Sequence, residues 1–238
     1  MVSVTGSFSY DGQRLFEGID FTLEPGAWTC LLGPSGVGKS TLLRLLAGLE
    51  THGTFDGRIE TGDGEALAGR IAYMAQSDLL MPWLDVTGNV TLGARLRGQA
   101  PDITRARDLI AAVGLEPHSH KYPRALSGGM RQRAALARTL MEDKPFVLLD
   151  EPFSALDART RAEMQELAFG LLAGRTVLLV THDPAEAARL GERIAILDET
   201  GLREFPAGQS KPPRPADARA TLDLQARLLK DLRKAHAA

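Results

Sequence analysis

Gly33-Pro34-Ser35-Gly36-Val37-Gly38-Lys39-Ser40 follows the spacing G-x-x-x-x-G-K-[ST], and the chemistry of that spacing is phosphate binding. Glycines let backbone N–H groups converge on phosphate oxygens. A following helix lends the positive end of its dipole, Lys39 adds a point charge, and the Ser40 hydroxyl, with Thr41 next to it, can ligate Mg2+. Much further along, Val147-Leu148-Leu149-Asp150-Glu151 puts two carboxylates at the end of an apolar run, where an α/β sheet opens its ligand crevice. Their expected roles divide: Asp150 holds Mg2+ through water, and Glu151 polarises an attacking water as general base. Between these motifs, Ser127-Gly128-Gly129 opens a helix, so its amides and hydroxyl form a second anion site. Taken singly, these are a loop shared with kinases and GTPases, a strand end and a capped helix. Their joint occurrence in one order is the informative fact.

The elements that must position these residues follow from period and punctuation. Residues 1 to 24 alternate around turn signals at Asp11-Gly12 and Pro25-Gly26, which predicts antiparallel strands. Trp28 to Leu32 is a short buried strand feeding Gly33, and leucines 42, 43, 45 and 46 recur at helical spacing until Gly48. A Gly- and Asp-rich hairpin region covers 53 to 69, and Arg70 to Ala75 reads as a strand ending at Gln76. Helices are predicted over 104–113 and 127–142, within an inserted lobe at about 77–142. Phe146 to Leu149 and Thr176 to Val180 read as parallel strands covered on both faces, followed by helices at 158–173 and 184–190. His182 follows the second of these strands directly, at the same carboxyl edge. The division expected is a nucleotide domain over 1–205, then a proline-rich connector and a last helix over 206–238. That helix carries an apolar stripe of Leu222, Leu229 and Leu232 with Leu228 beside them, read as a docking face.

Composition narrows the partners. With 238 residues there is room for one large α/β domain. A formal net charge of −2, with both signs interspersed, provides no basic field of the kind that binds nucleic acid. Cys30 is the sole cysteine, which excludes an intramolecular disulfide and fits a reducing compartment. Neither a secretory signal nor an apolar run near the roughly 20 residues of a membrane-spanning helix is visible, so a membrane role has to come through a partner.

Leu126-Ser127-Gly128-Gly129-Met130-Arg131-Gln132-Arg133, placed between the phosphate loop and the Asp-Glu pair, resembles the signature of the ATP-binding-cassette (ABC) ATPases. The resemblance runs from about Tyr10 to Ile196. It implies a P-loop NTPase (RecA-like) α/β core with an N-terminal antiparallel β-subdomain and an inserted helical subdomain, and ATP with Mg2+ as its nucleotide and metal. It also implies that Gln76 joins the metal and the nucleophilic water to the inserted lobe, that His182 contacts the terminal phosphate, and that Tyr10 stacks on adenine, with Phe8 as an alternative. The Ser127 site would cover ATP held by a second copy in a head-to-tail dimer, with Asp157 of Ser154-Ala155-Leu156-Asp157 linking the two sites. Met130-Arg131 stand where many members carry Gly-Gln or Gln-Gln.

Leu79-Leu80-Met81-Pro82-Trp83-Leu84, followed by Val86 and Asn89-Val90, is similar to the Leu-Pro-Trp stretch of importers for nitrate, sulfonate, taurine and thiamine-pyrimidine precursors. An apolar loop bearing Trp can line a groove for a partner helix, or can be internal packing. The reading is an importer ATPase subunit, peripheral on the cytoplasmic face of the inner membrane, with permease subunits and a solute-binding protein as partners. A soluble assembly or remodelling ATPase and an exporter subunit are the alternatives.

Overall fold

The computed structural model describes residues 1–198 and 201–235. In chain order the strands are β1 (Val2–Tyr10), β2 (Gln13–Leu23), β3 (Trp28–Leu32), β4 (Thr54–Thr61), β5 (Ile71–Met74), β6 (Phe146–Asp150), β7 (Thr176–Val180), β8 (Arg193–Asp198) and β9 (Gly201–Phe205). The helices are α1 (Lys39–Leu46), α2 (Val86–Val90), α3 (Leu92–Leu96), α4 (Ile103–Ala112), α5 (Gly128–Met141), α6 (Ala158–Leu171), α7 (Pro184–Leu190) and α8 (Arg219–Ala235). The chain divides into two compact units: Met1–Ile71, Pro145–Asp150 and Gly174–Ala238 form the first, Ala72–Lys144 and Glu151–Ala173 the second.

The first unit is built on two sheets. Alternating side chains let β1 and β2 pair antiparallel, Val2 opposite Leu23 and Val4 opposite Phe21, and bury Ile19, Phe21 and Leu23 on one face. Here the structure departs from the sequence reading, because the region read as a hairpin supplies β4, which pairs along the other edge of β1 in the order β2-β1-β4. In the other sheet β6, β7, β3 and β8 run parallel in that order, and β9 closes the edge antiparallel to β8. Every residue of β3, β6 and β7 is buried, which continuous apolar runs require when both faces are covered. Cys30 sits at the centre of β3; burial pushes its thiol well above the ordinary value, the Glu186 carboxylate pushes the same way and the Arg214 guanidinium opposes them.

The tail belongs to this unit. Arg214 is buried and donates to the carbonyls of Ala188 and Gly191 at 2.9 Å each, which caps the end of α7; it also donates to Ser210 at 2.7 Å and Gly208 at 3.0 Å. A guanidinium presents donors in a planar fork, so one side chain satisfies four carbonyls of the connector and α7. Helix α8 then lies along α7. The buried stripe differs from the one read in the sequence: Thr221, Leu224 and Leu228 face inward, whereas Leu222 and Leu229 are exposed. Spacing alone admits either set of leucines. Contact with α7 selects the i, i+3, i+7 set.

The second unit is helical. Asp85, Asp102, Ser127 and Asp157 cap α2, α4, α5 and α6, each side chain accepting the backbone N–H of the third residue of its helix. Helix α5 packs on α2 and α4, and its Ala134 to Ala137 and Leu140 are buried. The Leu-Pro-Trp segment is held by Asn89, whose side chain accepts from Met81 N–H at 2.7 Å and donates to the carbonyls of Met81, Leu84 and Asp85 at 3.2, 3.0 and 3.0 Å. Arg138 fixes the preceding turn by donating to the Asp78 and Leu79 carbonyls, both at 2.7 Å.

Candidate active site

In the first unit the loop between β3 and α1 carries Gly33, Pro34, Ser35, Gly36, Val37 and Gly38. Glycine is needed at two of these positions for different reasons. A Cβ on Gly33 would stand 2.1 Å from the Leu197 carbonyl oxygen of β8, and Gly38 caps α1 with φ of 105°, a conformation L side chains rarely adopt. Lys39 is buried and turns back onto its own loop, its ammonium donating to the carbonyls of Gly33 at 2.8 Å and Pro34 at 2.6 Å. The loop therefore has a defined polarity, with the cation at its Gly33–Pro34 end.

The Ser40 hydroxyl donates to Asp150 Oδ1 at 3.1 Å, so the start of α1 and the end of β6 bring a hydroxyl and a carboxylate together. These oxygens suit a hard cation. A hydroxyl and a carboxylate are the kind of oxygen donors that Mg2+ takes beside waters and substrate phosphates. Tyr10 packs edge-on to Phe8 with ring centroids 4.8 Å apart, and its hydroxyl lies 3.3 Å from Thr41 Oγ1. Phe8 is fully buried, which leaves Tyr10, half-buried, as the ring of this pair that retains an open surface. His182 is exposed at the end of β7. The turn carrying it is fixed by Thr181, whose hydroxyl donates to Glu186 at 2.7 Å and accepts from Asp183 N–H at 3.0 Å. His182 lines a pocket of about 470 Å³ together with Gly33, Pro34 and Ser35, and three residues of α8, Leu229, Leu232 and Arg233, line it too. The sequence reading did not include these three. No local motif marks them, because only the docking of α8 along α7 carries the end of the tail back to the loop.

In the second unit Gln76 Nε2 donates to Glu151 Oε2 at 3.2 Å. Glu151 has φ of 48°, a strained left-handed conformation for a residue with a side chain, and strain of this kind concentrates at functional positions. Its carbonyl accepts the Ser154 hydroxyl at 3.0 Å and the Ser154 N–H at 3.3 Å, which holds the turn after β6. At the head of α5 the Ser127 hydroxyl accepts Met130 N–H at 3.2 Å, with Ser127 and Gly128 exposed. A Cβ on Gly129 would lie 3.3 Å from Leu156 Cδ2, so glycine there lets the helix head approach the segment before α6. Asp157 caps α6, and hydrogen bonds from the Thr160 backbone and side chain hold its carboxyl below the usual range.

A parallel sheet whose central strand feeds a glycine-rich loop and then a helix, with an antiparallel sheet and a helical unit in the same chain, defines a phosphate-loop nucleotide hydrolase. A family model described as ABC transporter matches residues 16–154. A Haemophilus influenzae protein named as an uncharacterized ABC transporter ATP-binding protein is 47% identical over 233 residues, 95% of each chain. The aliphatic sulfonates import ATP-binding protein SsuB 1 of Rhodococcus jostii is 45% identical over 214 residues, 88% of this chain and 84% of its own. Among solved structures, a dimeric post-hydrolysis state of the ATP-binding cassette MJ0796 bound to ADP and Pi superposes with a TM-score of 0.76 at 28% identity, covering 90% of this chain and all of the other. The chain belongs to the ABC transporter family and is an ABC-type ATPase.

Proposed function

We propose that the chain is the ATP-hydrolysing subunit of a bacterial ABC importer, in which two copies close head to tail around ATP and drive a separate transmembrane permease supplied by a solute-binding protein. The single observation that carries the transport reading is the Leu-Pro-Trp segment, where Trp83 is 70% and Leu79 56% exposed although the backbone around them is tied down. A large apolar surface on a rigid segment is suited to receive a partner helix. It also disfavours internal packing as the role of this segment. Relatives named as sulfonate importers and, at 41% identity over 206 residues, as an Fe(3+) import protein of Rhodococcus jostii support uptake over release. Among the described residues no helix is long and apolar enough to cross a membrane. In this reading the permease holds the chain at the cytoplasmic face of the inner membrane.

In this reading the loop residues Gly33 to Lys39 cradle the phosphates, Ser40 and Thr41 hold the start of α1 against them, and Tyr10 covers the adenine. Ser40, Asp150 and Gln76 would hold Mg2+, which neutralises charge on the phosphates when bound. Glu151 accepts the proton of the attacking water, Gln76 orients the Glu151 carboxylate, and His182 contacts the terminal phosphate. Ser127, Gly128 and Gly129 cover the ATP of the second copy, and Asp157 relates the two sites. Ser127 already spends its hydroxyl as an acceptor for Met130 N–H, so it meets a phosphate oxygen as a donor.

Two variants test the assembly. Ser127→Arg, a bulky change at an exposed helix head, should leave ATP binding by single chains intact and abolish ATP-dependent dimers in sedimentation; equal loss of both would contradict a site shared between copies. Trp83→Asp should spare nucleotide binding while transport in membranes expressing the whole operon falls by at least about tenfold, the loss expected when a central aromatic anchor is removed. Full transport by that variant would favour a soluble remodelling ATPase.

A further inference from the structure

The pocket beside His182 has one wall that the reading above leaves unused. Leu229, Leu232 and Arg233 reach it from α8, while Gly33 to Ser35 and His182 form the opposite side. The backbone of α8 that carries them is anchored by its neighbours. Upstream, Arg214 caps α7; along the helix, Leu224 and Leu228 are buried; two residues before Arg233, Asp231 pairs with Arg203 of β9 at 2.5 Å; and Arg227 lies over the Phe205 ring at 5.4 Å.

The polarity of the loop says which part of a nucleotide this pocket meets. In a phosphate loop the backbone amides cradle the inner phosphates and the lysine reaches the outer ones. Lys39 places its ammonium against the Gly33 and Pro34 carbonyls, so that end of the loop is the outer-phosphate end. The pocket opens from this end, on the side of His182. A guanidinium there matches phosphate oxygens in both charge and geometry, and Arg233 lies in the last turn of α8, where the helix dipole favours a cation.

We propose that Arg233 is a further cationic contact for the terminal phosphate beside Lys39, supplied in cis by the C-terminal helix, so that the tail distinguishes ATP from ADP. The proposal rests on the reading of Gly33 to Ser40 as the phosphate loop. A terminal phosphate brings Arg233 a partner that ADP lacks, at a pocket wall that Leu229 and Leu232 share with it.

Calorimetry on the full chain with Mg2+ and either the non-hydrolysable analogue AMP-PNP or ADP tests this, using wild type, Arg233→Ala, Arg233→Lys and Lys39→Ala. Arg233→Ala is expected to weaken AMP-PNP about tenfold and to change ADP by less than about twofold, the size of one lost charge-assisted hydrogen bond. Arg233→Lys, which keeps the charge without the fork, should fall between. Unchanged affinity for both ligands in Arg233→Ala overturns the proposal. So does an equal loss for both, which would assign Arg233 to structure alone. Lys39→Ala separates this failure from a deeper one: if it removes binding of both ligands while Arg233→Ala is silent, only the role of Arg233 falls, whereas if neither variant weakens either ligand the phosphate-loop reading falls with it.

Discussion

Glu151→Gln should lower ATP turnover by about 10² to 10⁴-fold, the usual contribution of a positioned general base, while ATP remains bound. The exchange is nearly isosteric and keeps a side chain that can still pair with Gln76, at 3.2 Å in the wild type, so the turn after β6 need not rearrange. What is lost is the ability to accept a proton. The positive φ of Glu151 sharpens the expectation, because a strained backbone at this position is retained by the hydrogen bonds that Ser154 gives to the Glu151 carbonyl, and these survive the substitution. Single-turnover phosphate release measured beside nucleotide binding decides the matter. Turnover at the wild-type rate would remove Glu151 from the chemistry, and loss of binding in step with turnover would make it a structural residue.

Lys39→Ala should weaken ATP by about 10²-fold or more and ADP by about tenfold or more, since each charge-assisted contact to a phosphate is worth about 1.5 to 3 kcal/mol and ADP keeps only one of the two outer phosphates. The same substitution should lower the melting temperature even without nucleotide. Lys39 is buried and satisfies the Gly33 and Pro34 carbonyls, and an acceptor left without its donor costs about 1 to 3 kcal/mol. Both effects have one origin, for the ammonium holds its loop in shape by standing where it can meet a phosphate. A binding titration with a thermal melt on the same samples checks the pair. Binding retained despite a lowered melting temperature would mean that Lys39 serves the loop and not the ligand.

The sequence was most legible where one residue type can do only one thing. The phosphate loop, β3, β6 and β7 follow from glycine spacing and from short apolar runs that need cover on both faces. Legibility failed where tertiary partners decide. Helix α2 contains Gly88 and the β-branched Val86, Thr87 and Val90, all poor helix formers, and it forms because Asp85 caps it and Asn89 ties it to the preceding turn. Strand β4 reads as part of a local hairpin because nothing in its Gly- and Asp-rich run names β1 as its partner. The sequence reading places no strands at β8 and β9, although Ile194 to Leu197 is as apolar as β7; residues 199 and 200 between them lie outside the described residues. Of the candidate site residues, Lys39, Ser40, Asp150 and Glu151 stand in motifs that point to them directly. The motifs could not supply Arg233, which reaches the pocket through a helix whose buried face differs from the one that leucine spacing suggested.

The sole cysteine, sealed in the middle of β3 with its thiol pushed upward, gives the molecule a practical property. Thiol reagents are attacked by the thiolate, and a buried thiol with so little thiolate character gives them almost no partner in the folded chain. The natural sequence therefore behaves as its own cysteine-free background. A thiol engineered at Trp83, at Ser127 or on the outer face of α8 becomes the single labelling point for a fluorophore or spin probe, and the motions of a transporter ATPase can be followed without rebuilding its core.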